Sequence, residues 1–222
     1  MIIIIKQVVK IGGSLFPNYA IDLAKKLKST NSCIVLGGGE FANLIRKYND
    51  EQHFSEEINH WTAIDCMDII AKLVNDKVES AKLAYSIEEI NQISNEGFTP
   101  IFIVSEFLKK EDPFECSWDV TSDSIAAYVA HLLNANLLIV TNVNGIYTQE
   151  PEEPGSTFIS KIDASKLLTF QESSIDVMLP SLLLKFGTNC YVVNGKYPER
   201  VLSLIDDSIN DYNFDYTQIT GD

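Results

Sequence analysis

Two glycine-rich turns are the first residues in this chain whose types and spacing could do chemistry. Lys10-Ile11-Gly12-Gly13-Ser14 closes an apolar run near the start, and Gly37-Gly38-Gly39 follows a second apolar run at residues 33–36. Glycine lets a backbone come close to an anion and turn its amides inward, and a helix that starts just beyond adds the positive end of its dipole. Taken alone, each turn is as readily a tight reversal after a strand. Two of them, one led by a lysine, favour a phosphate site. The G-x-G-x-x-G and G-x-x-x-x-G-K-[ST] spacings are both absent, so the site is of another kind. Phosphoryl transfer asks little covalent work of a protein. It needs cationic and amide donors on the moving group, magnesium on the phosphates and in-line placement of donor and acceptor.

A third segment, 118–127, reads Trp-Asp-Val-Thr-Ser-Asp-Ser-Ile-Ala-Ala, and 137–147 follows as an apolar run leading into Thr141, Asn142, Gly145 and Tyr147. On local grounds Asp119 and Asp123 are also what a helix N-terminus favours.

The elements that must position these groups alternate along the chain. Apolar runs at 2–11, 33–36, 83–85, 101–104, 137–140 and 190–193 read as strands. Amphipathic stretches read as helices: one ending near Lys28, then 40–48, 61–78, 121–133, 179–186 and one beginning near Pro198. In 61–78, Ile64, Met67, Ala71, Val74 and Val78 recur at helical spacing. Residues 150–155 read as an exposed loop and Asn144-Gly145 as a turn. This alternation is the pattern of an α/β protein with a largely parallel sheet.

With 17 Lys and Arg against 31 Asp and Glu, the formal charge is −14. That argues against a nucleic-acid or membrane-surface binder, since both need a basic footprint. The opening apolar stretch is too short for a signal-peptide core and no other run spans a bilayer, so a cytoplasmic protein is expected. Cys33, Cys66, Cys116 and Cys190 lie far apart with no C-x-x-C pair. They read as reduced thiols, mostly buried, with no metal site.

From Val8–Leu15 through Leu36–Phe41, the segment 121–130 and the segment 141–147 to Val192–Arg200, the ordered motifs resemble the amino acid kinase superfamily, which includes the acetylglutamate, aspartate, uridylate and isopentenyl phosphate kinases. The resemblance covers nearly the whole chain. It implies a three-layer α/β/α sandwich with a mainly parallel central sheet, one domain over 1–222, the acceptor in the N-terminal half and ATP in the C-terminal half. It also implies ATP as co-substrate with Mg2+, a small-molecule phosphate acceptor and a homo-oligomer.

Residue by residue, Lys10 matches the lysine that stabilises the transferring group, and Asp123 the carboxylate that organises it. Gly12, Gly13 and Ser14 match the phosphate loop, while Thr141, Asn142, Gly145 and Tyr147 fall in the nucleotide segment. Gly37, Gly38 and Gly39 match the loop facing the acceptor. Many members carry a lysine three residues after a Gly-Gly-Met segment; here residues 175–181 read Ile-Asp-Val-Met-Leu-Pro-Ser, and Lys161 and Lys185 are the nearest substitutes. His53 or His60 could serve acceptor phosphate as a histidine does in the isopentenyl phosphate kinases.

Segments 60–68 and 117–127 resemble a branch, found in methanogens and methylotrophs, that uses ATP to turn the phosphate monoester of an aminomethylfuran into a diphosphate in methanofuran biosynthesis. Such an acceptor would call on Trp61 or Trp118 for its ring, on Asp65, Asp68 or Asp119 for its ammonium, and on the Gly37 loop with Thr121 or Ser122 for its phosphate. The rival readings are an isopentenyl phosphate or uridylate kinase, and a nucleotide or oxyanion binder of the same fold without catalysis.

Overall fold

The computed structural model describes residues 4–111, 113–149, 151–169, 175–206 and 212–221. The start of the expected first strand, Ile2 and Ile3, and Glu150 of the expected loop lie outside them.

In chain order the elements are β1 (Gln7–Ile11), a 3-10 turn (Gly13–Leu15), α1 (Asn18–Lys26), β2 (Ser32–Leu36), α2 (Gly39–Gln52) and α3 (Glu56–Asp76). Then come β3 (Ala81–Ala84), α4 (Ile87–Asn95), β4 (Thr99–Phe102), α5 (Ser105–Glu111), α6 (Ser122–Leu133) and β5 (Asn136–Thr141). The remainder is β6 (Ile146–Tyr147), β7 (Phe158–Ile159), β8 (Lys161–Asp163), α7 (Ala164–Leu167), α8 (Leu179–Phe186), β9 (Cys190–Asn194), α9 (Pro198–Ile205) and β10 (Thr217–Thr220).

Eight strands form one sheet in the order β3-β4-β2-β1-β5-β9-β10-β8, and β6 and β7 make a separate antiparallel pair. Every pairing in the large sheet is parallel except β9 with β10. The central strands are buried on both faces, which is why they read as continuous apolar runs. Strand alternation then sorts the core. Val8, Cys33, Val35, Leu137, Ile139 and Val192 face a layer that includes α6 and α8. Val9, Ile11, Ile34, Leu36, Val140 and Val193 face α1, α9 and the second half of α3. The result is the expected α/β/α sandwich.

Local chemistry sets the helix ends. Ser55 caps α3 by accepting the Ile58 N–H at 3.3 Å, and Ser86 caps α4 by accepting that of Glu89 at 3.2 Å. Asp68 is the N-terminal anchor of α5: its carboxylate accepts from the N–H groups of Val104 (2.9 Å) and Ser105 (3.3 Å) and from the Ser105 hydroxyl (2.5 Å). This group is therefore committed to the fold. Burial pushes its carboxyl above the usual range, against the pull of those hydrogen bonds. Among the described residues no helix is long and apolar enough to cross a membrane.

Candidate active site

The register of the sheet brings three loops to one edge. Ile11 pairs with Leu36 on one side and Val140 on the other, so the chain leaves β1, β2 and β5 at the same level. The Gly12 N–H extends the β5 ladder to the Val140 carbonyl at 2.7 Å, and the Gly37 N–H extends the β1 ladder to the Ile11 carbonyl at 2.9 Å. The two glycine turns touch directly. A Cβ on Gly13 would overlap the Gly39 backbone, and Gly39 adopts φ +53°, a conformation that disfavours side chains. Glycine here serves close approach, as well as any turn.

Lys10 is one residue before Ile11, so its side chain leaves the opposite face of the sheet, the face covered by α6. Its Nζ lies 2.7 Å from Asp123 Oδ1. Both residues are buried, at 8% and 4% exposure. Asp123 sits in the first turn of α6, whose cap Thr121 accepts the Asp123 N–H at 3.4 Å. Cys190 lies beneath the pair, and burial first, then the Asp123 charge, holds its thiol protonated. It is not a nucleophile.

On the α2 side of the glycine turns is a cavity of about 390 Å³. Its wall includes Gly13, Ser14, Gly37, Gly38, Gly39, Thr121 and Ser122 from the expected set. It also includes Glu40, Asn43 and Arg46 of α2, Ile64 and Met67 of α3, Trp118, and Asp176. Arg46 covers the Trp118 ring at 4.9 Å. Thr121 is at the wall, but its hydroxyl donates to Asp176 Oδ2 at 2.8 Å, so it is already engaged.

Other expected residues are placed elsewhere. Asp65 is exposed, pairs with Lys109 at 3.3 Å and is not in the wall. Asp119 is exposed and likewise outside it. Trp61 carries Lys109 5.6 Å above its ring and does not line the cavity. His53 is an exposed left-handed residue closing α2. His60 is buried, with Nδ1 between the Ser117 carbonyl oxygen (3.2 Å) and N–H (3.4 Å), where it holds the segment bearing Trp118. Lys161 and Lys185 are both exposed, the latter 5.6 Å from the Phe186 ring.

The segment expected to meet nucleotide leaves β5 on the other side. Thr141 ends β5 and Asn142 follows it, and Gly145 is packed so closely that a Cβ would overlap Thr217. Thr217 ties this loop to β7, accepting the Ile146 N–H at 2.8 Å and donating to the Ile159 carbonyl at 2.5 Å. Tyr147 meets Phe158 edge-on, with ring centroids 5.3 Å apart. Asn144 Oδ1 accepts from Asn194 Nδ2 (3.0 Å) and Arg200 Nη1 (3.3 Å), which joins the loop to β9 and α9.

Arg46, Glu40 and Asp176 were not among the expected site residues. Arg46 had a readable signal: Gly39, Asn43 and Arg46 are spaced i, i+4, i+7, one face of a helix that starts at the glycine turn. Glu40, at i+1, does not share that spacing. Asp176 had only the local one of a carboxylate three residues before a helix start, where it accepts the Leu179 N–H; its other donors, from Thr121 and Ser124, lie more than fifty positions away.

The sequence profile of the amino acid kinase family matches residues 6–194. The chain belongs to the amino acid kinase family. It is 34% identical to [5-(aminomethyl)furan-3-yl]methyl phosphate kinase of Methanocaldococcus jannaschii, over 97% of this chain and 98% of that protein. It is 27% identical to the uridylate kinase of the same organism, over 85% of each chain. Among solved structures, uridylate kinase of Archaeoglobus fulgidus superposes with a TM-score of 0.73 at 20% identity, covering 97% of this chain and 100% of the other. UMP kinase of Ureaplasma parvum gives 0.72 at 18% identity, covering 98% and 99%. These structures share the fold of this chain.

Proposed function

We propose that this chain transfers the γ-phosphoryl group of ATP to a phosphate monoester, giving a diphosphate, and that the acceptor is the phosphate ester of an aminomethylfuran. The observation that carries the reaction class is the buried Lys10–Asp123 pair beneath two glycine turns in backbone contact. Lys10 is there to meet the transferring group, and the turns offer amides to the phosphates on either side. Asp123 holds the lysine in place. An acceptor phosphate is already ionised at neutral pH, so no general base is required. The full-length similarity to the M. jannaschii phosphate kinase supports the acceptor.

Magnesium enters with ATP as part of the substrate. Among the described residues no group of three or more His, Cys, Asp or Glu could cage a metal, and Asp123 is occupied by Lys10. A cation that keeps its waters and binds through substrate phosphates fits this arrangement. ATP then lies on the β5 side, with Thr141, Asn142, Gly145 and Tyr147, and the acceptor lies in the cavity beside α2. Within that cavity Arg46 suits an acceptor phosphate and Trp118 an aromatic ring. Glu40, rather than Asp65 or Asp119, is the lining carboxylate offered to an ammonium, since Asp176, also in the wall, is taken up by five donors.

A homo-oligomer is supported by the exposed apolar face of α2 and α3, which carries Phe41, Leu44, Tyr48, Ile58, Ile69 and Leu73. Light scattering on the purified chain reads its mass, and a monomer at micromolar concentration removes this part of the proposal. The reaction is tested by ADP release with aminomethylfuran phosphate, UMP and isopentenyl phosphate, alongside direct ATP binding. A preference for the furan ester of at least about tenfold in kcat/KM is expected. Preference for UMP overturns the acceptor, and tight ATP binding without turnover on any of the three overturns the kinase reading.

A further inference from the structure

The motifs gave Asp176 no role, although it lies in the 175–181 segment where the second lysine is missing, and its carboxylate accepts five hydrogen bonds. Oδ2 takes the Thr121 N–H (3.1 Å), the Thr121 hydroxyl (2.8 Å) and the Ser124 N–H (3.0 Å). Oδ1 takes the Ser124 hydroxyl and the Leu179 N–H, both at 2.7 Å. The backbone donors are the unpaired amides of two helix starts, α6 and α8. One side chain thus locks both together.

The same residue also reaches the reactive pair. The Asp176 N–H donates to Asp123 Oδ2 at 3.3 Å, while Asp123 Oδ1 meets Lys10. Each Asp123 oxygen therefore has an assigned partner, and the carboxylate cannot rotate without losing one of them. A neutral residue would not do the work of Asp176, because a single amide oxygen cannot replace two carboxylate oxygens facing five donors. Keeping a charge there has a cost: burial, and then the nearby Asp123 charge, push the Asp176 carboxyl upward, against the hydrogen bonds from Ser124 and Thr121.

We propose that Asp176 is a positioning residue for Lys10, acting through Asp123: it fixes the first turn of α6 to α8 and sets the rotation of the Asp123 carboxylate that aims the lysine. This rests on Lys10 being the lysine that meets the transferred phosphoryl group. Asp176 touches neither Lys10 nor the transferred group in this role, so its effect depends on Asp123 being intact.

The test is a cycle with Asp176→Asn and Asp123→Asn, each alone and combined in the full-length chain. It is read as kcat and KM with MgATP and aminomethylfuran phosphate, ATP affinity by calorimetry, and thermal midpoint. Asp176→Asn is expected to lower kcat by about 10- to 100-fold while ATP affinity changes less than about threefold. In the Asp123→Asn background the same change should cost less than about threefold in kcat, because the residue it acts through is already disabled. A folded Asp176→Asn protein with kcat within about twofold of wild type overturns the proposal, as does an equal loss in both backgrounds.

Should Asp176→Asn fail to fold, Ser124→Ala removes one donor and carries the same logic. It is expected to cost about threefold in kcat in the wild type and nothing in Asp123→Asn, and an equal factor in both overturns the proposal. Normal turnover in Lys10→Met would instead remove the reading of Lys10. An inactive Lys10→Met beside a normal Asp176→Asn removes only the role given to Asp176.

Discussion

Lys10→Met and Asp123→Asn, made singly and together, test the centre of the site in two currents at once, stability and turnover. The pair is 2.7 Å apart and nearly inaccessible to water. Removing one partner of such a pair leaves an uncompensated buried charge, which costs about 3–5 kcal/mol. From a total stability in the upper part of the usual range of about 5–15 kcal/mol, the single variants still fold. At about 2–4 °C per kcal/mol for a domain of this size, their midpoints fall by about 6–20 °C.

Lys10→Met should be the worse of the two, since it leaves the buried Asp123 carboxylate beside that of Asp176 without the cation that now offsets it. The double variant replaces the charges by a neutral thioether and amide, so it should recover at least about 2 kcal/mol of the summed loss. Turnover behaves differently: all three variants are expected to lose at least about 100-fold in kcat, the scale of one electrostatic donor at a transferring group. Differential scanning calorimetry and ADP release measure the two quantities. A double variant whose midpoint falls by the full sum of the single losses refutes the buried-pair reasoning. Near-normal turnover in Lys10→Met or Asp123→Asn refutes its place in the chemistry.

Gly13→Ala drives a methyl into the Gly39 backbone and should separate the two turns enough to cost about 100-fold in kcat with the fold intact; activity within threefold would show that the turns need not touch. Arg46→Ala is expected to raise the acceptor KM by about 10- to 100-fold, the worth of a charge-assisted hydrogen bond, and to leave the ATP KM within about twofold. Glu40→Gln should weaken an amine-bearing acceptor but not its deaminated analogue, and equal effects on both would exclude an ammonium contact. Asp68→Asn tests a structural assignment, with a lower midpoint and unchanged kcat expected. Because burial raises the Asp68 pKa, the folded state holds its proton to higher pH than the unfolded one. Its contribution to stability is therefore largest below about pH 4 and declines as pH rises through the raised value. The midpoint gap between wild type and Asp68→Asn should shrink over that range, and a gap that widens would contradict the sign.

The fold was legible wherever strand burial left an uninterrupted apolar run. The strand expected at 137–140 is β5 with one residue added at each end, and the helix at 179–186 coincides with α8. The helix expected at 40–48 misses the polar last turn of α2 and the one expected at 61–78 misses the Glu56-Glu57 first turn of α3, because neither turn carries an apolar period; other expected ends, near Lys28 and at Val78 and Thr121, run one or two residues past the helices. The helix α4 was missed although Ser86 and Glu89 bear its capping signature. The strand β10, Thr217–Thr220, has too little apolar pattern to stand out from a loop.

At the site, Lys10, Asp123 and the glycine turns could be read because each lies at the end of a strand or the start of a helix. The acidic residues assigned to an ammonium were harder. Asp65 and Asp68 share a helix, and only the packing of α5 against it decides that one anchors a neighbour while the other faces solvent. Asp176 was out of reach for a related reason: although it lies three residues before α8, its link to α6 is made only by the fold.

The contact between Gly13 and Gly39 is made by backbone alone, and each turn is also stitched into the ladder of the adjacent strand. The spacing between the sites for the two reacting phosphates is thus built into the sheet itself, like a fixed gauge. What is free to vary is the far wall of the acceptor cavity, carried by α2, α3 and Trp118. Substitutions there can change which molecule is held without resetting the distance over which a phosphoryl group must pass.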